Sequence, residues 1–163
     1  IRSRCMYLRL PETGAAAQDD AWEQWRADYR AWLERLTGGK LGREGAARLV
    51  VEVYGLISRF EDISARLTRE AWDAVKDQQP DYLTDEAKEA NKVGFERSLR
   101  ARLLADLETA TLAFAESHPE LASRAPRVIS ALEKAYTLME TLNYPQPAAL
   151  ESFFLQSLQA WTR

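Results

Sequence analysis

The chain has 163 residues, 46% of them apolar and 29% charged, with a formal net charge of −3. These values exclude a disordered polyelectrolyte and a strongly basic nucleic-acid coat, and the length suffices for one core without disulfides or metals. The single cysteine, Cys5, excludes an internal disulfide, and the single histidine, His118, excludes Glu-x-x-His pairs and the common Cys/His zinc sets within this chain.

The first ten residues, from Ile1 to Leu10, read as a short extended segment of β-forming residues, ended by Pro11 and Gly14. Residues 1–18 are expected to be this segment plus a linker. The start at Ile1 rather than Met leads us to expect residues upstream. Leu10-Pro11-Glu12-Thr13-Gly14 resembles the pentapeptide recognised by sortase transpeptidases. In that family the motif lies near the C-terminus, ahead of an apolar segment and a basic tail. Here Ala-Ala-Ala-Gln-Asp-Asp follows it, and it reads as a turn.

Residues 19–163 are expected to form one helical-bundle domain. Asp19 or Asp20 is a suitable N-cap for a first helix running to about Leu36. Trp22, Trp25, Tyr29, Trp32 and Leu36 recur at steps of three and four, the spacing of one helical stripe. Gly38-Gly39-Lys40-Leu41-Gly42 stops the helix. It lacks the preceding strand and the spacing of a phosphate-binding loop.

A second helix is expected from about Arg43. Leu49, Val53, Leu56, Phe60, Ile63 and Leu67 make a heptad seam. Val50, Val51 and Ile57 widen that face, which predicts burial on more than one side. The pattern can run on through Trp72 and Val75 or break near Thr68; Gln78-Gln79-Pro80 ends it. A third helix begins near Thr84 or Asp85 and packs through Phe95, Leu99, Leu103, Leu107, Ala110 and Phe114, with Gly94 a weak point. A fourth opens at Pro126 and uses Ile129, Leu132, Tyr136, Met139 and Leu142. A fifth begins near Pro147 and carries Leu150, Phe153, Phe154, Leu158 and Trp161. The expected fold is all-α, an antiparallel bundle of about five helices.

Few residues carry chemistry. The stripe Trp22, Trp25, Tyr29 and Trp32 reads either as core or as a partner-binding face, since Trp and Tyr dominate interface hot spots. His118 reads as a solvent-facing loop residue flanked by Glu116 and Glu120. Asp73, Asp77, Asp81, Asp85, Glu86 and Glu89 read as a solvated acidic patch, because no glycine turn or fixed spacing orients them as ligands. Lys40, Arg43 and Arg48 form one basic set and Lys92, Arg97 and Arg100 another, candidates for phosphate contacts. Lys92–Glu96–Arg100 spacing and an Arg102–Asp106 pair would absorb part of that charge.

No catalytic, cofactor-binding or metal-binding set is recognised. The leading expectation is a non-enzymatic interaction or scaffolding module, a subunit that docks onto other protein chains as a homo- or hetero-oligomer. No apolar run approaches the ~18–20 residues of a membrane span and no signal peptide is visible, so a cytoplasmic location without membrane contact is expected. One alternative is a small helical subunit of a nucleoprotein complex contacting nucleic acid through its basic edges; bacterial RNA-guided effector complexes contain such domains, an analogy only. Another is a ligand-sensing bundle with a pocket lined by Trp32, Tyr54, Phe60 or Trp72.

Overall fold

The computed structural model describes residues 19–39, 42–80 and 83–162. The extended N-terminal segment, the Leu10–Gly14 turn, Lys40 and Asp81 lie outside the described residues. Within them the chain forms five α-helices: α1 (Asp20–Thr37), α2 (Arg43–Asp73), α3 (Asp85–Ser117), α4 (Ala125–Leu142) and α5 (Gln146–Thr162). Short 3-10 turns at Lys76–Gln78 and Pro119–Arg124 flank α3. No strand occurs among the described residues.

The helix ends follow local chemistry. Asp19 caps α1, its Oδ1 accepting from the Trp22 backbone N–H at 2.8 Å. Thr84 caps α3, its hydroxyl accepting from the Ala87 N–H at 3.2 Å. Gly38 ends α1 where a Cβ would stand 2.8 Å from the Glu34 carbonyl oxygen, too close for any side chain. Asn143 ends α4 in the left-handed region at φ 48°, and the Tyr144 N–H returns to the Leu138 carbonyl at 3.1 Å.

Helix α2 is continuous past Thr68 to Asp73. Its six seam residues, Leu49 through Leu67, are all buried. The wider face expected for α2 is not. Ile57 is buried, but Val50 is half-buried and Val51 is 70% exposed. Helix α3 also runs unbroken through Gly94. Its expected face is buried, apart from a half-buried Ala110, and Leu104 joins it.

The expected face of α4 needs correction. Leu132 and Met139 are buried, but Ile129 is only half-buried, and Tyr136 and Leu142 are exposed. The face that packs is Val128, Ala131, Leu132, Ala135 and Met139. Helix α5 packs along α4 and buries Leu150, Phe153 and Phe154 in the same core.

One cluster of buried side chains draws on all five helices. Trp25 and Trp32 donate their indole N–H groups to the carbonyls of Leu56 (2.8 Å) and Leu49 (3.2 Å). As one position rises the other falls, so α1 and α2 are antiparallel. Trp22 and Tyr29 reach Asp106 and Thr111 of α3 in rising order, so α1 and α3 are parallel.

The Asp19 carboxylate also receives both terminal hydrogen bonds of Arg66 Nη2, at 2.8 and 2.7 Å, pinning the start of α1 to α2. Burial pushes its pKa up, but Arg66 and the Trp22 N–H outweigh that, and the group sits below its ordinary value. A carboxylate depressed in the folded state stabilises above its unfolded pKa and loses that contribution as pH falls through the folded one. Asp19→Ala should cost about 1–2 kcal/mol in urea unfolding at neutral pH. Asp19→Asn keeps the cap but not the charge, so its deficit against the wild type should shrink below about pH 4.

Candidate functional site

The aromatic stripe of α1 is core. Trp22, Tyr29 and Trp32 are fully buried and Trp25 is 1% exposed, so no ring face is open to a partner. Successive rings stack, with centroids 4.9, 5.7 and 6.0 Å apart along the helix. Phe60 of α2 meets Trp22 and Trp25 edge-on, and Phe154 of α5 does the same to Tyr29 and Trp32. Each polar handle is satisfied. Trp22 Nε1–H donates to Asp106 Oδ2 at 3.1 Å, and the Tyr29 and Thr111 hydroxyls lie 2.9 Å apart. Burial raises the Tyr29 pKa far above the ordinary tyrosine range, against the opposing pull of Thr111. The reading of these four residues as a partner-facing surface gives way to a packing role, because α2, α3 and α5 together cover the stripe.

The two basic sets do not meet. Arg43 and Arg48 are exposed at the start of α2. Lys92, Arg97 and Arg100 lie beside its other end, where Trp72 packs edge-on against Phe95 at 5.9 Å. At a rise of ~1.5 Å per residue, Arg48 and Trp72 are about 35 Å apart along the helix. The α3 set is also partly neutralised. Arg100 bridges Glu96 (2.7 Å) and Glu140 (3.3 Å), Arg97 lies 3.8 Å from Glu140, and Lys92 lies 3.8 Å from Glu89. The i, i+4 pairing expected of Lys92 with Glu96 is replaced by Glu89. Asp106, expected beside Arg102, accepts from Trp22 instead.

His118 is not a solvent-facing loop residue. Its ring stacks on Phe114 at 4.3 Å, Nδ1 lies 2.9 Å from the Phe114 carbonyl, and Nε2 lies 3.5 Å from Glu34. It ties the end of α3 to α1, and its carboxylate neighbour is remote in sequence rather than Glu116 or Glu120. In the acidic connection between α2 and α3, Asp73 pairs with Lys76 at 2.8 Å. Among the described residues no group of three or more His, Cys, Asp or Glu side chains is arranged to hold a metal ion.

Two concavities stand out. A cleft of about 790 Å³ lies between the second half of α2, the first half of α3 and the α4–α5 turn. Trp72 and Tyr144 line it, and its charged lining is balanced: Arg69, Lys92 and Arg100 against Glu61, Asp73 and Glu96. Of the aromatics expected in a ligand pocket, only Trp72 is here. Phe60 and Trp32 are fully buried in the core, and Tyr54 is half-exposed on the outer face of α2. The second concavity is a groove of about 520 Å³ between α3 and α4. Leu112, Ala115, Pro126 and Ile129 floor it, and every charged residue lining it is a glutamate: Glu108, Glu116 and Glu133.

No family model, curated protein or solved structure matches this chain. No helix among the described residues is long and apolar enough to cross a membrane.

Arg100 should prove structural rather than ligand-binding. Its side chain is 14% exposed, and removing it takes the nearer of two charge partners from Glu140, itself 18% exposed, leaving only Arg97 at 3.8 Å. Arg100→Ala should cost about 1–3 kcal/mol in urea unfolding, whereas the exposed Arg48→Ala should change stability by less than about 0.5 kcal/mol.

Proposed function

We propose that this chain is a non-enzymatic interaction module, a cytoplasmic helical subunit that docks onto other protein chains. The observation that carries this reading is the set of large apolar side chains the core leaves uncovered on helix faces. Tyr54 Oη donates to Glu151 Oε1 at 2.6 Å, which joins the outer faces of α2 and α5. Val51, one turn before Tyr54, and Leu155, one turn after Glu151, are both exposed. Leu112 of α3 and Tyr136 of α4 are exposed as well. Helices whose own bundle is fully packed gain nothing from such residues in water, whereas a partner surface would bury them. The nucleoprotein alternative has less support, because the α3 basic set is partly paired with glutamates and stands well along α2 from Arg43 and Arg48.

The cleft favours a second reading, a ligand-sensing bundle. Its volume lies in the range of small-molecule sites, and the half-buried Trp72 offers a ring for stacking. A ligand bound there raises the unfolding midpoint of the wild type and shifts Trp72 fluorescence; a compound library that moves neither removes this reading.

The interaction reading is tested with Val51→Glu/Leu155→Glu. Both sites are exposed, so the double variant should unfold within about 1 kcal/mol of the wild type. It should lose the partners, or the self-association, that cross-linking and sedimentation detect for the wild type in its source cells and in solution. A wild type that sediments as a monomer and cross-links to no protein in those cells would falsify the reading.

A further inference from the structure

We infer that the α3–α4 groove is a docking site for a basic amphipathic helix of a partner protein. This rests on the reading of the chain as an interaction module and names the chemistry of one partner. Three observations converge on it. First, Ile129 and Tyr136 lie on the stripe that the spacing of α4 assigns to packing, yet the core takes the alanine face one position round. Ile129 is therefore left half-exposed beside Leu112 of α3, and Tyr136 follows it two turns along α4. Second, α3 and α4 are antiparallel neighbours, since Arg100 pairs with Glu140 and the 3-10 turn after Ser117 leads straight into α4. The floor between them is a trough parallel to both helices, the shape that takes a third helix laid along it.

Third, the rim has one sign. Glu108, Glu116 and Glu133 border the floor, and no Lys or Arg lines it. Neither Glu116 nor Glu133 is the carboxylate of any ion pair found among the described residues, and Glu108 likewise. A helix carrying leucine-type residues at i, i+3, i+4 and i+7 would cover Leu112 and Ile129. Lysines or arginines on its flanks would meet three carboxylates that this chain leaves to solvent. Nucleic acid and acidic peptides are repelled by the same rim.

The probe is a synthetic 18-residue helical peptide with leucine on one face and lysine on its flanks, paired with a control in which glutamate replaces lysine. Each is titrated into the full chain by fluorescence anisotropy at two salt concentrations, with binding mapped by NMR. The basic peptide should bind and perturb Leu112 and Ile129. Its affinity should fall as salt rises, and the glutamate control should not bind. Glu108→Lys/Glu116→Lys/Glu133→Lys should weaken binding at least about tenfold, the equivalent of about 1.4 kcal/mol, while Val51→Glu/Leu155→Glu leaves it unchanged. The proposal is overturned if both peptides bind alike, if the triple variant binds as the wild type does, or if the perturbed residues lie on α2 and α5. It is also overturned if the chain self-associates without peptide and Leu112→Glu abolishes that association, which would give the groove to a second copy. A groove that fails these tests while Val51→Glu/Leu155→Glu still loses native partners sinks the groove alone and leaves the module reading standing.

Discussion

The bundle is organised around the stacked rings of α1. A ring buried in a core contributes apolar area, but tryptophan and tyrosine also bring a donor that must find an acceptor. Here those donors act as pins. Trp25 and Trp32 reach two carbonyls of α2 seven residues apart, and Trp22 and Tyr29 reach two side chains of α3. Sliding α1 along either neighbour would leave several of these groups buried without partners, at a cost of about 1–3 kcal/mol each. The register between α1, α2 and α3 is therefore set by hydrogen bonds, while the hydrophobic area supplies the bulk of the stabilisation. Phe60 and Phe154 close the stack from two sides and carry α2 and α5 into the same arrangement.

Most of this was legible as spacing. The seam of α2 and the stripe of α1 repeat at three and four with bulky residues throughout, and both are buried. Helix α4 departs from its spacing for a physical reason. Bulky residues at 129, 132, 136, 139 and 142 outweigh alanines in any reading that ranks side chains by size. Yet a close helix–helix approach selects small ones, and Ala131 and Ala135 are buried where Ile129 and Tyr136 are not. Val51 failed in the opposite sense: it sits in an apolar run, and a run does not show which side of a helix its neighbours will cover. Spacing also left the α1 stripe undecided between core and interface. That depended on how many helices would surround it, which is a property of the assembled bundle.

The charged residues were least legible, because their partners are remote in sequence. Asp19 was recognisable as a cap, but its pairing with Arg66 was not. His118 has two glutamates as near neighbours and takes a third, Glu34, from another helix. Arg100 shares itself between a local partner, Glu96, and Glu140 from α4. In each case the remote partner lies on another helix, outside any local window. The glutamate rim between α3 and α4 stands outside these pairings, and no sequence window displays it, because its three members come from two helices.

The arrangement of the indoles also gives the molecule an optical signature. Four of its five tryptophans are sealed from water, and two of them stack 4.9 Å apart at an interplanar angle of 12°. Indoles this close and this nearly parallel share their excitations, so the aromatic circular dichroism band reports the integrity of α1 against its neighbours. Trp72, alone among them in reaching solvent, sits in the wall of the cleft. A collisional quencher therefore addresses that one site, and the same protein carries a built-in readout of its core and a separate one of its cleft.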